Sequence, residues 1–358
     1  MVKYLVRIVM VAGALGCQVP EGPDQLGGGN GNNIPIHQPT DGGAGDAVAA
    51  SPEAGTGGAP GGDAASGSGG DAASGSGGTI ASDAGAPAAP AMWQEHWFEH
   101  NQLLKKVADT EDDVIYFDDN VGMSCAGWVQ PFVSAMWQYT KKTYGVPGDP
   151  RIFVVLHAGR YAGDHEASIF DGTHDFHNVI DIGRDISAWV TPANANVIAW
   201  SAGLLLEKSA LGVDTLPSVG VTQTQFGYFF AYDILKAVGM STAADAWLKS
   251  LMVYTVDHPR VGTFWSRDWY YPLWRDHGGA AVFARFIQLV GERYPKVPRD
   301  DKRGMMFAPA MNWGEYIHFM SGAAGTDLKT LATKAFGWPN GRDAEYAQAK
   351  LDFPTIKY

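Results

Sequence analysis

Cysteine and positive charge are both scarce in this sequence. Two cysteines, Cys17 and Cys125, occur in 358 residues. Because Cys17 lies at the end of a predicted export leader, we expect no intrachain disulfide, and the fold must be stable without one. Lysine and arginine number 26 against 38 aspartates and glutamates, which gives a formal net charge of −12. Nucleic-acid binding requires a basic surface, so this composition argues against a nucleic-acid partner.

A long hydrophobic run is also missing from the N-terminus. The apolar stretch from Ile8 to Leu15 follows Lys3 and Arg7, and this order of charged and apolar residues is typical of a secretory leader. The stretch is about half as long as the roughly 20 residues that a transmembrane helix needs. We therefore expect a signal peptide over residues 1–17, of which the part before Cys17 is removed on export.

The end of this leader resembles the lipobox of bacterial lipoproteins. Residues 14–17 read Ala-Leu-Gly-Cys, with alanine where the family usually has leucine. The resemblance implies that Cys17 becomes the mature N-terminus and carries lipid chains, which anchor the protein to a membrane. Gln18 stands where inner-membrane lipoproteins tend to have aspartate, so the resemblance implies the outer membrane or the cell surface. The alternative is an ordinary secreted protein in which Cys17 has no special role.

Large apolar side chains are almost absent from residues 18–90. Glycine, alanine, serine, proline and aspartate dominate this stretch, and such a composition cannot repay the entropy that is lost on folding. We predict a disordered tether here. The composition changes at Met92 and Trp93, where aromatic and charged residues appear together and hydrophobic periodicity begins. The sequence therefore predicts one globular domain over residues 91–358.

This domain is predicted to belong to the α+β class, with a small N-terminal sheet with helices followed by a mostly helical part. Continuous apolar runs predict strands at Val114–Phe117, Ile152–Leu156 and Val179–Ile182. An amphipathic pattern predicts a helix over residues 128–144, which ends at Gly145. Further helices are predicted at 191–208, 223–238, 242–256, 279–292, 312–323, 327–336 and 343–351.

Several sequence blocks in the domain resemble a group of bacterial secreted proteins with a zinc-metallopeptidase-like domain of the gluzincin kind. The blocks are Trp97–Asn101, Tyr116–Asp119, Phe170–Asp175 with Asn178–Asp181, Trp265–Trp269, and Met311–Glu315 with Ser321–Gly325. The resemblance covers most of the domain and implies a gluzincin-like fold. It also implies that the helix after the Asn-Val-Ile-Asp block corresponds to the His-Glu-x-x-His helix of these enzymes.

The residues at the positions of the zinc motif differ from those that the chemistry requires. Two histidines four residues apart bind zinc from one helix face, and the glutamate of the motif acts as general base. By the resemblance, these positions correspond to Asn196, Val197 and Trp200, and the third zinc ligand on the next helix corresponds to Tyr228. None of these side chains is a good zinc ligand or a general base.

The resemblance therefore implies a metallopeptidase-like domain whose metal site has been lost. Such a domain would act without catalysis, by binding an extracellular peptide, glycan or protein. We expect no cofactor, and zinc is expected only if the assignment of these four positions is wrong. The alternative function is an active hydrolase, either a metallopeptidase with an unrecognised site or a serine hydrolase.

Two local motifs bear on the hydrolase alternative. Residues 199–203 resemble a nucleophile elbow around Ser201, but the helix start predicted at residues 191–192 places this serine inside a helix, where its hydroxyl cannot project from a strained turn. Residues 96–100 match the inverted zinc motif His-x-x-Glu-His through His96, Glu99 and His100, at the border of the tether. The simpler interpretations are that Ser201 is an ordinary helix residue and that the match at residues 96–100 is due to chance.

A further group of candidate residues lies in a glycine-containing loop before the third predicted strand. His174, Asp175 and His177 could line a cleft or bind a cation, because loops often carry binding residues. Solvated histidines are, however, the commoner case in such loops.

Overall fold

The computed structural model describes residues 88–98, 100–123, 127–161, 163–183, 195–217, 222–256 and 260–358. The predicted signal peptide, Cys17 and most of the predicted tether lie outside these residues, as do Glu99 and Cys125. Within the described ranges, the chain has the α+β class that the sequence predicts. The main sheet is formed before residue 183, and helices dominate after it.

The main sheet has six strands, of which the sequence predicts three. They are β1 (Met92–Gln94), β2 (Leu103–Asp109), β3 (Asp113–Phe117), β4 (Ile152–Leu156), β5 (Asp164–Ala167) and β6 (Val179–Ile182). Their order in the sheet is β1-β2-β3-β4-β6-β5, with β3, β4 and β6 parallel and the other neighbours antiparallel. The three parallel strands are the buried runs that the sequence identifies.

The two faces of the sheet pack against different parts of the chain. Side chains alternate along a strand, so Val155 and Leu156 of β4 point to opposite faces. The face of Leu156 packs against α1 (Val129–Tyr144) and α2 (Ala195–Ser209), and α3 (Thr222–Ala237) packs in turn against α2. The face of Val155 packs against Trp93 and Trp97 of the N-terminal segment, which we define as residues 88–102.

This N-terminal segment includes the last three residues of the predicted tether. The N–H of Ala89 donates to Asp109 Oδ2 at 3.1 Å, and the hydroxyl of Tyr116 donates to the carbonyl of Pro90 at 2.8 Å. Residues 88–90 therefore lie against the sheet, directly before β1.

The remaining elements follow α3 along the chain. They are α4 (Ser241–Leu251), α5 (Tyr271–Asp276), α6 (Ala280–Arg293), β7 (Lys296–Pro298), β8 (Met305–Phe307), α7 (Trp313–Ala324), α8 (Lys329–Phe336) and α9 (Arg342–Asp352). The sequence predicts all of these helices except α5, although α4 ends at Leu251 rather than at Val256. The predicted start of α2 at residues 191–192 lies outside the described residues. No helix in the described ranges has both the length and the apolar character that crossing a bilayer requires.

Helices α2 and α3 approach each other closely at a pair of glycines. A Cβ atom on Gly203 would lie 2.9 Å from the Cα atom of Gly227, and a Cβ atom on Gly227 would lie 2.8 Å from Leu204 Cδ2. Both contacts are too short for a side chain at either position. The absence of side chains on these two residues therefore permits the close packing of the helix pair that carries Asn196, Val197, Trp200 and Tyr228.

Candidate functional site

Asn196, Val197, Trp200 and Tyr228, the four positions that the sequence resemblance assigns to a zinc motif, lie on this helix pair, and the rings of two of them stack. The rings of Trp200 on α2 and Tyr228 on α3 stack with their centroids 5.3 Å apart and an interplanar angle of 13°. Val197 is buried one turn before Trp200, and Asn196 is partly buried. These side chains provide neither an imidazole nor a carboxylate that could bind a metal ion or accept a proton.

Ser201 lies in the middle of α2 and is completely buried. A nucleophile elbow requires a serine on a sharp turn between a strand and a helix, where its hydroxyl is exposed to the substrate. The structure places Ser201 six residues after the first residue of α2 instead. The local geometry therefore differs from that of a serine hydrolase.

The loop before β6 packs its candidate residues against the N-terminal segment and the sheet. The ring of His174 stacks on Trp97 with centroids 4.5 Å apart, and Asp175 accepts a hydrogen bond from the indole N–H of Trp93 at 2.8 Å. The ring of His177 stacks on Phe153 at 4.0 Å. The three residues thus make different contacts and do not share one binding point.

A second group of side chains, on the face of the sheet away from the helices, forms a compact polar cluster. Each of four residues, Glu95, His100, His157 and Asp181, offers one ligand atom, and all four atoms lie within 4.8 Å of one another. We call these four residues the sheet-edge cluster. His157 Nε2 is 3.0 Å from both Glu95 Oε1 and Asp181 Oδ1. His100 Nδ1 is 3.0 Å from Asp181 Oδ2 and 3.8 Å from Glu95 Oε1.

The parallel strands place two members of this cluster side by side. His157 directly follows β4, and Asp181 lies in β6, which is the neighbour of β4 in the sheet. Both side chains point to the same face as Val155, because residues two apart in a strand share a face and Val155 pairs with Asp181. The N-terminal segment then crosses this face and adds Glu95 and His100.

A surrounding set of donors and acceptors holds each member of the cluster. His157 Nδ1 lies 3.1 Å from Asp118 Oδ2, which directly follows β3. Glu95 Oε2 accepts hydrogen bonds from the backbone N–H of Gln102 at 2.8 Å and from the hydroxyl of Tyr161 at 3.1 Å. Asp181 Oδ2 accepts a hydrogen bond from the indole N–H of Trp97 at 2.8 Å. The ring of Tyr161 also covers His100, with centroids 3.4 Å apart.

The cluster concentrates negative charge around one imidazole. Burial alone would lower the pKa of His157, but the carboxylates of Asp118, Asp181 and Glu95 raise it to about 11. Burial alone would raise the pKa of Asp181, but the contacts with His100 and His157 hold it below its usual value. His157 is therefore a positive charge among these carboxylates, and the guanidinium of Arg160 adds a second one at Asp118, with Nε 3.3 Å from Oδ2.

Two further histidines beside the cluster are held neutral. His165 Nε2 lies 3.0 Å from His174 Nε2 and 3.6 Å from Asp181 Oδ2. Burial lowers the pKa of His165 to about 4, and burial also lowers the pKa of His174. Two neutral imidazoles can share one hydrogen bond at this distance, one as donor and the other as acceptor.

The sequence identifies His100 but not the partners that the structure gives it. In the inverted zinc motif, His96 and Glu99 were expected beside His100, but His96 is half-exposed and faces Asp175, with Nε2 3.4 Å from Oδ1. Glu99 lies outside the described residues. A signal for the actual partners was present: Asp118, His157 and Asp181 are polar residues within or directly after buried apolar strands. Three of the sequence blocks, at 97–101, 116–119 and 178–181, also meet at this cluster.

Comparisons with known proteins leave the family of the chain open. No model of a known protein family and no curated protein matches it. One solved structure that matches is described as a functionally unknown conserved protein mutant from Bacillus anthracis str. Ames. It is 9% identical, with a TM-score of 0.43 over 69% of this chain. The match spans 52%, or about half, of the length of that protein.

Proposed function

We propose that this protein is a lipid-anchored recognition domain, displayed on the outer membrane or cell surface, which binds an extracellular peptide, glycan or protein without cleaving it. The domain is proposed to be a gluzincin-like metallopeptidase domain that has lost its metal site. The observation that carries the proposal is the stacked pair of Trp200 and Tyr228 on α2 and α3.

Hydrolysis at this helix pair would need four groups that these side chains do not supply. A gluzincin requires two imidazoles and a carboxylate to hold zinc, and a glutamate to take a proton from the attacking water. At the corresponding positions, Val197 cannot accept a proton, and the indole of Trp200 can only donate one hydrogen bond. The stacked rings also occupy the space between the two helices. Binding without cleavage is the function that remains for such a scaffold.

The proposed location rests on the first part of the sequence. The charged and apolar residues before Cys17 and the small residues beside it support export and lipid attachment. A long tether rich in glycine and alanine would then hold the domain away from the membrane surface. Globomycin blocks the signal peptidase of lipoproteins, so treated cells should accumulate a longer form of the protein. An unchanged form would contradict lipid anchoring.

Loss of peptidase activity is tested with the purified, zinc-supplemented protein and a library of unstructured peptides analysed by mass spectrometry. We expect the peptides to remain intact, both with and without the chelator 1,10-phenanthroline. Cleavage that the chelator abolishes would contradict the proposal. Peptide and glycan arrays test whether the domain binds a ligand. We expect a ligand that is retained with unchanged mass. An absence of binding on both arrays would contradict the proposed recognition.

The alternative of a serine hydrolase is tested separately at Ser201. Because this side chain is buried inside α2, we expect no labelling by a fluorophosphonate probe. Labelling that disappears in Ser201→Ala would establish the alternative and replace our proposal.

A further inference from the structure

We propose that the sheet-edge cluster binds one divalent transition-metal ion, for which zinc is the best fit, through Glu95, His100, His157 and Asp181. This site lies on the face of the sheet opposite to α2 and α3, so it is separate from the positions that the sequence resemblance assigns to a zinc motif. The inference is therefore independent of whether the domain recognises a ligand.

The separations of the ligand atoms fit a common ion. Atoms that coordinate zinc tetrahedrally at about 2.0–2.1 Å lie about 3.3–3.4 Å from one another. In the cluster, His157 Nε2 is 3.0 Å from an oxygen of Glu95 and from an oxygen of Asp181, and His100 Nδ1 is 3.8 Å from Glu95 Oε1. These three separations lie within about 0.5 Å of the ideal value, and all four ligand atoms lie within 4.8 Å of one another.

Two buried carboxylate oxygens in the cluster lack the hydrogen bonds that burial normally demands. Among the residues that the structure describes, Glu95 Oε1 and Asp181 Oδ1 have no hydrogen-bond partner. Both approach His157 Nε2, but neither does so in the geometry of a hydrogen bond. Buried charged oxygens of this kind are costly unless they are paired or bind a metal. An ion at the point that they share would satisfy both.

The other atoms of the same side chains are already held by the protein. Asp118 contacts His157 Nδ1, which leaves Nε2 directed into the cluster. The N–H of Gln102 and the hydroxyl of Tyr161 donate to Glu95 Oε2, and the indole of Trp97 donates to Asp181 Oδ2. A carboxylate behind a ligating histidine is the usual arrangement in zinc sites, where it fixes the orientation of the ring. The outer contacts therefore orient Glu95, His157 and Asp181 before an ion arrives. The stacked ring of Tyr161 holds the plane of His100, whose Nδ1 lies 3.0 Å from Asp181 Oδ2.

The donor set and its enclosure indicate a structural ion. Two imidazoles and two carboxylates complete a tetrahedral shell, whereas catalytic zinc sites keep one position for water. Glu95, His157 and Asp181 are buried, and the ring of Tyr161 covers His100. The ion would join Glu95 and His100 of the N-terminal segment to His157 and Asp181 of the sheet. Its role would be to fasten this segment to the domain.

The site is tested with the full-length chain, purified without a histidine tag and dialysed against a chelator. Titration with zinc is expected to give one equivalent bound, and replacement by Co²⁺ is expected to give the visible absorption of a tetrahedral site. His100→Gln should remove this absorption. Asp118→Asn, which leaves all four ligands in place, should weaken binding roughly 10–100-fold, the usual effect of losing such a partner.

His96→Gln is the matched control, because His96 is four residues from His100 but half-exposed and directed at Asp175. This variant should bind the ion as the unmodified protein does. Circular dichroism establishes that each variant is folded. Absence of binding to the folded, unmodified protein would overturn the proposal. Loss of the ion in His96→Gln, or full retention in His100→Gln, would also overturn it.

Discussion

Replacing Asp181 by alanine should destabilise the domain far more than replacing Asp175, although both aspartates accept a tryptophan N–H. Asp181 is completely buried, with Trp97 Nε1 at 2.8 Å, His100 Nδ1 at 3.0 Å and His157 Nε2 at 3.0 Å. Asp175 has an equivalent bond from Trp93 at 2.8 Å, but its side chain is 48% exposed. The two carboxylates therefore differ in burial and in the histidines that contact them.

The magnitude follows from the groups that each change leaves behind. In Asp181→Ala, a buried ion pair loses one partner, which costs roughly 3–5 kcal/mol, and the N–H of Trp97 loses its acceptor, which costs about 1–3 kcal/mol. These losses share partners and do not add fully, so we expect at least about 3 kcal/mol, or a fall in Tm of roughly 6–12 °C. In Asp175→Ala, water can replace the lost acceptor, and we expect about 1 kcal/mol.

Urea unfolding followed by tryptophan fluorescence measures both free energies of unfolding. The titrations contain a chelator, so that bound metal does not contribute. Limited proteolysis provides a second readout, because the N-terminal segment should be cleaved earlier in Asp181→Ala. A free-energy loss below about 1 kcal/mol for Asp181→Ala, equal to that of Asp175→Ala, would refute the reasoning from burial.

Three other expectations concern stability. Burial and the nearby carboxylate of Glu166 raise the pKa of Glu207 well above 4.5. The folded state therefore keeps the carboxyl proton of Glu207 at pH values where the unfolded chain has lost it. As a result, the free energy of unfolding falls as pH rises. Thermal unfolding at a series of pH values should therefore show that the unmodified protein loses stability as pH rises above the usual pKa of glutamate, and that Glu207→Gln, which cannot ionise, lacks this loss. Gly203→Ala should lower the free energy of unfolding in urea. Overpacking against Gly227 costs about 1–3 kcal/mol, which exceeds the roughly 1 kcal/mol that alanine gains over glycine in a helix. A more stable variant would show that α2 and α3 separate easily. Adding zinc to a free concentration one hundredfold above its Kd should stabilise the chelated protein by about 2.7 kcal/mol, which raises Tm by roughly 5–10 °C, and calorimetry should show no such shift in His100→Gln.

The parts of the fold that could be predicted from the sequence are those whose pattern is local. Short buried apolar runs form β3, β4 and β6. The helix α1 has a clear amphipathic face and ends before Gly145. β5 reads Asp-His-Glu-Ala and carries no such pattern, because it is an edge strand held by its pairing with β6. Its extended conformation comes from a neighbour and not from its own residues.

The sheet-edge cluster could not be assembled from the sequence because its members meet only through the strand order. Glu95 and Asp181 are 86 positions apart in the chain (181 − 95), and nothing local indicates that β6 rather than β5 lies beside β4. The stacking of Trp200 on Tyr228 likewise depends on the close approach of α2 and α3. The inverted zinc motif identifies His100 together with His96, but in the structure His96 faces Asp175 and not the cluster.

Anomalous diffraction at the zinc absorption edge, from crystals of the zinc-loaded full-length protein, tests the account most directly because it locates the ion. The account predicts one strong peak surrounded by Glu95, His100, His157 and Asp181, and none between α2 and α3. A peak beside Asn196, Trp200 and Tyr228 would contradict the proposal that a metal site at these positions has been lost. A folded protein with no peak at the sheet-edge cluster would contradict the proposed metal centre.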